Sequence, residues 1–379
     1  MSEPSFQVAA SVLSRALKVA SRVVERRNTL PILAHVLLEV AEGSLTLTAS
    51  DLDVQFEQKL KVDQDAPFSA ALPADKLTQF IGALSGDVFC KFSTDDDGRV
   101  IIRAGRSRIT LPVLPAGDFP KLGDFDNAGL LEVSAASLSR MLNRVLPFVS
   151  KDDPRFCIEG PLWHGEEGQL ALAATDTVVA LRDIEASVAW PENAPEVILA
   201  PKACRVATAM LEGADRALIG WSERLSRFTV SGAVLTAKVI DGMFPNYRRI
   251  IPEAREDATV VDPEVVIAAL SRLRPAADSK DCNFANFEPD GDEAILLSMR
   301  SGDATTFARE AIPAQVNGAP GAAVSILPLG AVMDVVGGDS VEISQADSDA
   351  AMRIERVVKD GVVAVLNVGR GFRPTVERS

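Results

Sequence analysis

One sequence pattern occurs more than once in this chain of 379 residues, at an interval of about 126. The stretch Leu-Thr-Leu-Thr-Ala-Ser-Asp at Leu45–Asp51 is followed 125 residues later by Leu-Ala-Leu-Ala-Ala-Thr-Asp at Leu170–Asp176, and Phe119-Pro120 returns as Phe244-Pro245. Three segments begin with proline and continue with an apolar helical pattern, at Pro73, Pro201 and Pro328. The interval is too long for a solenoid and matches whole domains in tandem. The chain length, close to three intervals, predicts three equivalent domains.

Each third of the chain shows the same order of elements. A helical pattern comes first, alternating strand patterns follow, and a proline-initiated helix precedes further strands. In the last third, Asp262 is expected to cap a helix whose first residue is Pro263. We therefore predict α+β domains, each with two helices packed on antiparallel sheets, over residues 1–127, 128–254 and 255–379.

Composition excludes several classes of protein. With only two histidines, His35 and His164, a histidine-based active site is not expected. The four cysteines are scattered without a Cys-x-x-Cys pair, which predicts neither zinc binding nor disulfides. No nucleotide-binding glycine motif, signal peptide or membrane-length apolar run is present, so we expect no cofactor, no metal and a cytoplasmic protein.

The charge of the chain is sorted between its predicted helices and the remainder. Six helix windows (11–27, 73–85, 134–151, 201–212, 262–274 and 328–336) contain thirteen basic and six acidic residues, a balance of +7. Because the net charge is −14, the remainder carries −21. Arg15, Lys18 and Arg22 follow one another at helical spacing on one face of the first helix. A basic surface inside an acidic exterior indicates phosphate-backbone contact with duplex DNA, without sequence readout.

Two alternatives to this interpretation remain open. Clustered carboxylates, at Asp51 with Asp53 and at Asp95–Asp97, could belong to a metal-dependent enzyme, although the second cluster is typical of a hairpin turn. Alternatively, the chain could be a scaffold or decoy that binds partner proteins without encircling DNA. Such a scaffold would be a monomer, or would bind partners without retention on circular DNA.

Three long stretches resemble the bacterial sliding clamp, the beta subunit of DNA polymerase III. They are Thr29-Leu-Pro-Ile-Leu33 with the strand that ends at Asp53, the segment from Arg103 to Pro120, and the segment Lys238–Pro252. The resemblance is specific over residues 6–252, whereas after about residue 255 only the order of elements supports it.

The resemblance implies a non-catalytic processivity factor. Members of this family form a head-to-tail homodimer, a ring that encircles double-stranded DNA and tethers the replicative polymerase during DNA replication. The expected partners are DNA, the alpha subunit of DNA polymerase III, the clamp loader and other proteins with a clamp-binding motif. The expected location is the bacterial cytoplasm, at the nucleoid during replication.

The resemblance also assigns residues to sites, and it implies no catalytic residue. For DNA binding, it adds Arg27, Arg155 and Lys202 to the basic face formed by Arg15, Lys18 and Arg22. For a partner-peptide pocket, it implies Ile158, Thr175, Val178, Val179, Pro245, Arg249, Ile250 and Leu366. For the dimer interface, it implies Ile109, Leu111, Pro275 and Ala276.

The sequence departs from the family at two parts of these sites. After Ala-Thr-Asp the family usually carries Gly-His-Arg, where this chain has Thr177-Val178-Val179. The usual Met-Pro near the C-terminus is replaced by the stretch around Leu366. At the predicted dimer interface, Pro275 and Ala276 stand where apolar residues usually help to seal the ring. We therefore expect a diverged clamp, whose ring stability and partner motif differ from the usual ones.

Overall fold

The chain forms helices and antiparallel strands in the order predicted from its repeats. The computed structural model describes residues 5–25, 29–64, 66–85, 88–123, 125, 129–151, 153–192, 194–222, 224–277, 283–303, 305–318 and 321–367. In this part of the chain the α-helices are α1 Ala10–Val23, α2 Ala74–Gly82, α3 Ala135–Val145, α4 Pro201–Leu211, α5 Pro263–Leu273 and α6 Ile326–Val336. Two helices thus fall in each third, as predicted. None of the described helices is both long and apolar enough to cross a membrane.

The strands are distributed evenly along the chain. Those of the first third are β1 Ser5–Ala9, β2 His35–Ala41, β3 Ser44–Ser50, β4 Val54–Lys61, β5 Asp63–Gln64, β6 Phe68–Pro73, β7 Phe89–Thr94, β8 Val100–Ala104 and β9 Ser107–Leu111. Those of the second are β10 Gly129–Ser134, β11 Leu162–Glu166, β12 Gln169–Thr175, β13 Val179–Ala189, β14 Val197–Leu199, β15 Arg216–Trp221, β16 Leu225–Val230 and β17 Ala233–Ile240. Those of the last are β18 Thr259–Val261, β19 Phe284–Pro289, β20 Ala294–Arg300, β21 Phe307–Gln315, β22 Ala322–Ser325, β23 Val341–Ser344, β24 Met352–Arg356 and β25 Val363–Leu366.

Two compact units result, and the middle third contributes to both. The first unit comprises residues 1–139, 191–195 and 199–239, and the second comprises residues 140–190, 196–198 and 240–379. The domain boundaries predicted at residues 127 and 254 therefore stay a prediction.

The first unit contains two antiparallel sheets. One has the strand order β5-β1-β7-β8-β9. The other runs β10-β15-β16-β17-β4-β3-β2-β6. Helix α1 packs through Leu13, Ala16 and Leu17, which are fully buried. Its amphipathic spacing, one apolar residue every third or fourth position, is what places the opposite face in solvent.

The strands of the second unit pair in one continuous antiparallel series. Its strand order is β14-β11-β12-β13-β25-β24-β23-β18-β21-β20-β19-β22. Helix α5 begins as predicted, because the Asp262 carboxylate accepts a hydrogen bond of 2.8 Å from the backbone N–H of Glu264 and Pro263 is the first helical residue. This cap satisfies one of the free donors at the helix start.

Two of the three proline-initiated helices begin elsewhere than predicted. Pro73 ends β6 and α2 starts at Ala74, so this proline precedes the helix. Helix α6 starts at Ile326, two residues before Pro328. The physical reason is the same as for a proline at the first position: the N–H groups of the first turn have no partner within the helix, so a proline at the third position costs no hydrogen bond.

Candidate functional site

The residues predicted for the partner-peptide pocket all lie in the second unit and form two connected groups. In the first group, Ile158 belongs to a buried apolar cluster with Phe244 and Tyr247, and this cluster includes Ala173 of β12. In the second group, Val179 is paired with Leu366 across β13 and β25. Thr175 connects the groups, because it lies two residues after Ala173 on β12 and side chains two apart point to the same face.

Burial divides these eight residues into a base and a rim. Ile158, Thr175, Val179 and Leu366 are buried, the least buried being Thr175 at 8% exposure. The others are exposed, with Val178 at 39% and Ile250 at 45%, together with Pro245 and Arg249. Val178, Pro245, Arg249 and Ile250 are therefore the residues of the predicted pocket that are accessible from solvent.

The turn between β12 and β13 has a strained residue at its centre. Thr177 has φ of 77°, a left-handed conformation that a β-branched residue rarely adopts. The turn is stabilised by the Asp176 carboxylate, which accepts hydrogen bonds from the N–H groups of Val178 at 3.0 Å and Val179 at 2.7 Å. The Thr175 hydroxyl donates to the carbonyl of Val179 at 2.8 Å and accepts from the N–H of Thr177 at 3.1 Å.

Asn367, just after β25, completes this turn. Its side-chain amide donates to the carbonyl of Thr177 at 2.8 Å, and its backbone N–H donates to the carbonyl of Val178 at 2.9 Å. The sequence analysis identified the departure at Thr177-Val178-Val179 but not Asn367. A hydrogen bond between residues 190 positions apart has no local sequence signal.

A polar network lies beside the apolar base. His164, on β11, is completely buried, with Nε2 3.0 Å from the Tyr247 hydroxyl and Nδ1 3.0 Å from Nη2 of Arg248. Glu166 accepts from Nε of Arg248 at 2.7 Å and from the Tyr247 hydroxyl at 3.3 Å. Arg182 of β13 lies 3.5 Å from the same carboxylate. The small number of histidines predicts no histidine-based active site and gives no indication of this network. The one sequence feature that marks it is Tyr247, the only tyrosine in the chain.

Burial controls the ionisation of this network. It lowers the pKa of His164, and the positive charge of Arg248 lowers it further. Burial also raises the pKa of Tyr247, as does the neighbouring Glu166 carboxylate. His164 is therefore neutral and Tyr247 protonated at physiological pH.

The residues predicted for DNA binding have different surroundings. Arg15, Lys18 and Arg22 are all exposed on α1, opposite its buried face. Arg155 is exposed but is bound to the Asp153 carboxylate, whose pKa this arginine lowers to about 2. Arg27 lies outside the described residues.

Lys202 is not a free cation. At the start of α4, its Nζ lies 2.6 Å from Oδ2 of Asp51 and 3.7 Å from Oε2 of Glu25, and its side chain is 34% exposed. Because Glu25 follows α1 closely, this ion pair places the start of α4 beside the end of α1 in the first unit. Lys202 consequently offers less net positive charge to DNA than the sequence suggests.

The positive charge counted for the α3 window is neutralised in part by ion pairs. Arg144 is 5% exposed, and its guanidinium binds Asp183 at 3.1 Å and Asp360 at 2.7 Å. Arg140, one turn earlier on the same face, contacts Glu185. These arginines neutralise carboxylates of the second unit, because a buried charge without a partner is too costly.

The residues predicted for the dimer interface lie at two exposed elements. Ile109 is partly exposed and Leu111 buried on β9, an edge strand of the five-stranded sheet. Pro275 is exposed and Ala276 buried in the 3₁₀ turn that follows α5.

The carboxylates considered for a metal site are used otherwise. Asp51 binds Lys202, and Oδ1 of Asp53 lies 3.0 Å from Nζ of Lys238. Asp95 forms the predicted hairpin turn, accepting from the N–H groups of Asp97 and Arg99. Over the described residues, no group of three or more histidine, cysteine, aspartate or glutamate side chains could hold a metal ion.

Comparison with known proteins agrees with the fold. A family model described as DNA polymerase III beta subunit, N-terminal domain, matches residues 5–123, and the central-domain model of the same subunit matches residues 132–246. The beta sliding clamp of Caulobacter vibrioides (strain NA1000 / CB15N) is 33% identical over 307 residues, which are 78% of this chain and 81% of that protein. The Pseudomonas aeruginosa beta sliding clamp is 26% identical over 360 residues, 94% of this chain and 96% of that protein.

Solved structures extend the similarity to the last third of the chain. The Caulobacter crescentus beta sliding clamp is 29% identical with a TM-score of 0.88, covering 97% of this chain and 99% of that one. A Pseudomonas aeruginosa sliding clamp bound to griselimycin is 26% identical with a TM-score of 0.90, covering 98% of this chain and 100% of that one. The order of elements, the repeated turns and these matches lead to one conclusion: the chain belongs to the beta sliding clamp family, the beta subunit of DNA polymerase III.

Proposed function

We propose that this protein is the processivity clamp of a DNA replication machinery, a head-to-tail dimeric ring around duplex DNA that binds partner peptides. The observation that carries the proposal is a strand junction that occurs twice within the chain. A third copy of the junction would join two chains.

The two internal junctions use the same strand pairing. In the first unit, β4 pairs antiparallel with β17, with Val54 opposite Ala237. In the second unit, β13 pairs antiparallel with β25, with Val179 opposite Leu366. Val54 and Val179 are separated by the repeat interval of 125 residues and each follows the aspartate turn of its repeat. The repeat therefore reproduces the junction as well as the domains.

In the remaining copies of the repeat, the strands equivalent to β17 and β4 each have an edge without a strand partner over part or all of their length. Among the described residues, β9 pairs only with β8, whereas the equivalent strand β17 has neighbours on both sides. On β21, the equivalent of β4, residues Phe307–Pro313 pair with β20. A second strand, β18, pairs with Ala314 and Gln315 alone, so Phe307–Pro313 have a partner strand on one side only among the described residues. Phe307 is 51% exposed. Unpaired strand edges favour addition of another strand.

Joining β9 of one chain to β21 of a second would make the third junction. The registers of the internal junctions, carried over by the repeat, place Ile109 opposite the partner's Ala308 and Leu111 opposite the partner's Thr306. Because the contact is between different surfaces of identical chains, its repetition can close a ring. Two chains with three equivalent domains each would then surround DNA, and α1 would present Arg15, Lys18 and Arg22 to the phosphates.

The test of the ring is the mass in solution across a dilution series, by light scattering. The native protein should have twice the chain mass of 40.4 kDa. Ile109→Asp should give monomers, because it places a charge in a desolvated strand pair. Leu130→Asp is the matched control, since Leu130 is an exposed leucine on another strand, β10. A native protein that is monomeric at every concentration would contradict the ring and favour a scaffold that binds clamp partners without encircling DNA.

DNA binding is tested by its salt dependence. Replacing both Arg15 and Arg22 by alanine should reduce the slope of log affinity against log salt concentration by up to about 1.8, at about 0.9 for each phosphate that the protein no longer neutralises. Replacing the exposed Lys59 and Lys61 of β4 by alanine removes the same charge elsewhere. Equal slopes for the two double variants would show that α1 does not contact DNA.

The pocket is tested with griselimycin, which the related Pseudomonas aeruginosa clamp binds. We expect binding by isothermal titration calorimetry, and a loss of at least about tenfold in Ile250→Glu, because a carboxylate would replace an exposed apolar side chain at the rim. Val358→Glu is the control, because Val358 is an exposed valine, 80% accessible, outside the predicted pocket. Equal affinity of native and Ile250→Glu proteins would move the binding site away from this rim.

A further inference from the structure

The polar network of His164, Glu166, Tyr247 and Arg248 is attached to the segment that forms the pocket rim. Tyr247 and Arg248 are the first two residues of a 3₁₀ turn that ends at Ile250. Tyr247 is 3% exposed and packs on Phe244, with ring centroids 6.3 Å apart. Along this short turn, Tyr247 is buried in the network, Arg248 binds Glu166 with its side chain still 42% exposed, and Arg249 and Ile250 are exposed.

One neutral tautomer of His164 satisfies Arg248 and Glu166 together. The other, with the Nδ1 proton donated to the carbonyl of Gly165 at 3.0 Å, would leave Nη2 of Arg248 without this acceptor. The arginine guanidinium only donates, so Nδ1 of His164, 3.0 Å from Nη2 of Arg248, is the acceptor. His164 then carries its proton on Nε2 and donates to the Tyr247 oxygen at 3.0 Å, and the Tyr247 hydroxyl donates to Glu166 at 3.3 Å. In this arrangement Nε and Nη2 of Arg248, Nε2 of His164 and the Tyr247 hydroxyl each have an acceptor.

Protonation of His164 would disrupt this arrangement. A second proton on Nδ1 would face the Arg248 guanidinium, and the bond between them would break. The carbonyl of Gly165, 3.0 Å from Nδ1, could accept that proton. The titratable groups that surround the imidazole are Glu166 on its own strand, Arg182 on β13, Glu196 before β14, and Tyr247 and Arg248 on the turn. Two of these groups are cationic and two are anionic, so their charges oppose one another. Burial of the imidazole, together with the Arg248 donor that faces Nδ1, favours the neutral ring.

We propose that neutral His164 is a positioning residue for the partner-peptide pocket: with Glu166 it fixes Tyr247 and Arg248, and thereby the placement of Arg249 and Ile250 at the rim. The inference rests on the proposed function of the pocket. His164 is fully buried, so it acts on a ligand only through the turn. The apolar cluster alone would leave the rotation of the turn about Tyr247 less restricted, whereas four directional hydrogen bonds restrict it.

The experiment measures griselimycin affinity by calorimetry, between about pH 5 and about pH 7.5, for the full chain and its variants. Because burial lowers the pKa of His164 below 6.5, the neutral, binding-competent form persists there, and native affinity should fall only toward the acidic end of this range. His164→Gln, which can still donate to Tyr247 but cannot ionise, should bind within about threefold of native at pH 7.5 and show no such fall. His164→Phe should bind about tenfold more weakly at every pH, because Tyr247 and Arg248 lose their partner.

Controls separate this inference from folding and from the pocket itself. His35→Gln removes the other histidine, located in the first unit, and should retain the native pH profile. Glu166→Gln keeps the side-chain volume and should weaken binding if the network acts as proposed, even where His164→Phe fails to fold. Loss of binding in Ile250→Glu would leave the pocket intact. If Glu166→Gln then binds like the native protein, or if His164→Gln has the native pH profile, the positioning role is overturned. Binding unaffected by Ile250→Glu would overturn the pocket.

Discussion

The turn after β3 and the turn after β12 have the same backbone and different surroundings. In each, an aspartate accepts from the two N–H groups that follow the central residue: Asp51 at 2.9 and 2.6 Å, and Asp176 at 3.0 and 2.7 Å. The central residues, Leu52 and Thr177, have φ of 82° and 77°. The repeat has thus preserved an unfavourable conformation at both sites, although neither residue is glycine.

The surroundings of these two turns differ in charge. The first is enclosed by lysines, because Lys202 binds Asp51 and Lys238 binds Asp53. The second has an uncharged partner, Asn367, and an exposed apolar residue, Val178, where the first has the charged Asp53. An apolar peptide would have to disrupt ion pairs at the first turn, whereas at the second it would meet an apolar rim. The same junction can therefore be a structural joint at one position and a binding site at the other.

The ion pairs near the two junctions also differ in depth. The side chains of Lys238 and Asp53 are 51% and 72% exposed, so water screens their attraction. Those of Arg144 and Asp183 are 6% and 2% exposed, and Asp360 adds a second carboxylate. The β13–β25 junction, which we propose as the binding site, thus has buried ion pairs beside it, whereas the β4–β17 junction has an exposed one.

The largest expected effect is the loss of the buried pair. Asp183→Asn leaves the Arg144 guanidinium with one carboxylate fewer in a buried position, which should cost about 3–5 kcal/mol. We expect the free energy of opening of β13, measured by hydrogen exchange, to fall by this amount. Asp53→Asn, the equivalent change at the exposed junction, should cost at most about 1 kcal/mol. Similar losses in the two variants would remove the difference in depth between the junctions.

Relief of backbone strain should have a smaller and opposite effect. Thr177→Gly permits the left-handed conformation without a β-branched side chain, a relief of about 1–3 kcal/mol that the greater freedom of glycine in the unfolded chain reduces by about 0.4–1 kcal/mol. The melting temperature should therefore rise. Leu52→Gly should gain less, since leucine is not β-branched. A lower melting temperature for Thr177→Gly would show that the threonine side chain supports the turn.

Much of the fold could be predicted because it depends on short sequence separations. The Asp262 cap and the Asp95 turn are local hydrogen bonds between residues two to four apart, and both predictions are confirmed. The paired helices of each third follow from periodicity alone. The starts of α2 and α6 were missed because proline is accepted at several positions of a first helical turn, so it limits a helix start without fixing it.

The partners of charged side chains could not be predicted in the same way. Arg140 and Arg144 are one turn apart on one face of α3, yet their side chains are 46% and 6% exposed. The difference depends on where β13 and the loop with Asp360 meet the helix, which periodicity does not contain. The ion pair of Lys202 with Asp51, 151 positions away, is likewise absent from any sequence pattern, and the DNA contact of Lys202 that the family resemblance implies stays a prediction. The net charge of a sequence window counts charged residues but does not show their partners.

The smallest effect concerns the two residues that close the turns. Lys238 within β17 and Asn367 just after β25 each follow the residue paired with the first valine of the junction, and each donates its backbone N–H to the turn, at 2.8 and 2.9 Å. Alanine at either position keeps this bond and removes only the side-chain interaction. Asn367→Ala should cost about 0.5–1.5 kcal/mol, the usual value of one hydrogen bond, and should also weaken griselimycin binding, because the carbonyl of Thr177 beside the rim loses its donor. Lys238→Ala should cost about 0.2–1 kcal/mol at low salt, less at high salt, and leave griselimycin affinity unchanged.

Chemical denaturation at two salt concentrations distinguishes the two variants, since only the lysine ion pair is screened. Should both variants bind griselimycin like the native protein, the turn at Thr177 would be a structural joint like its counterpart at Leu52, and the rim would be reduced to Pro245, Arg249 and Ile250.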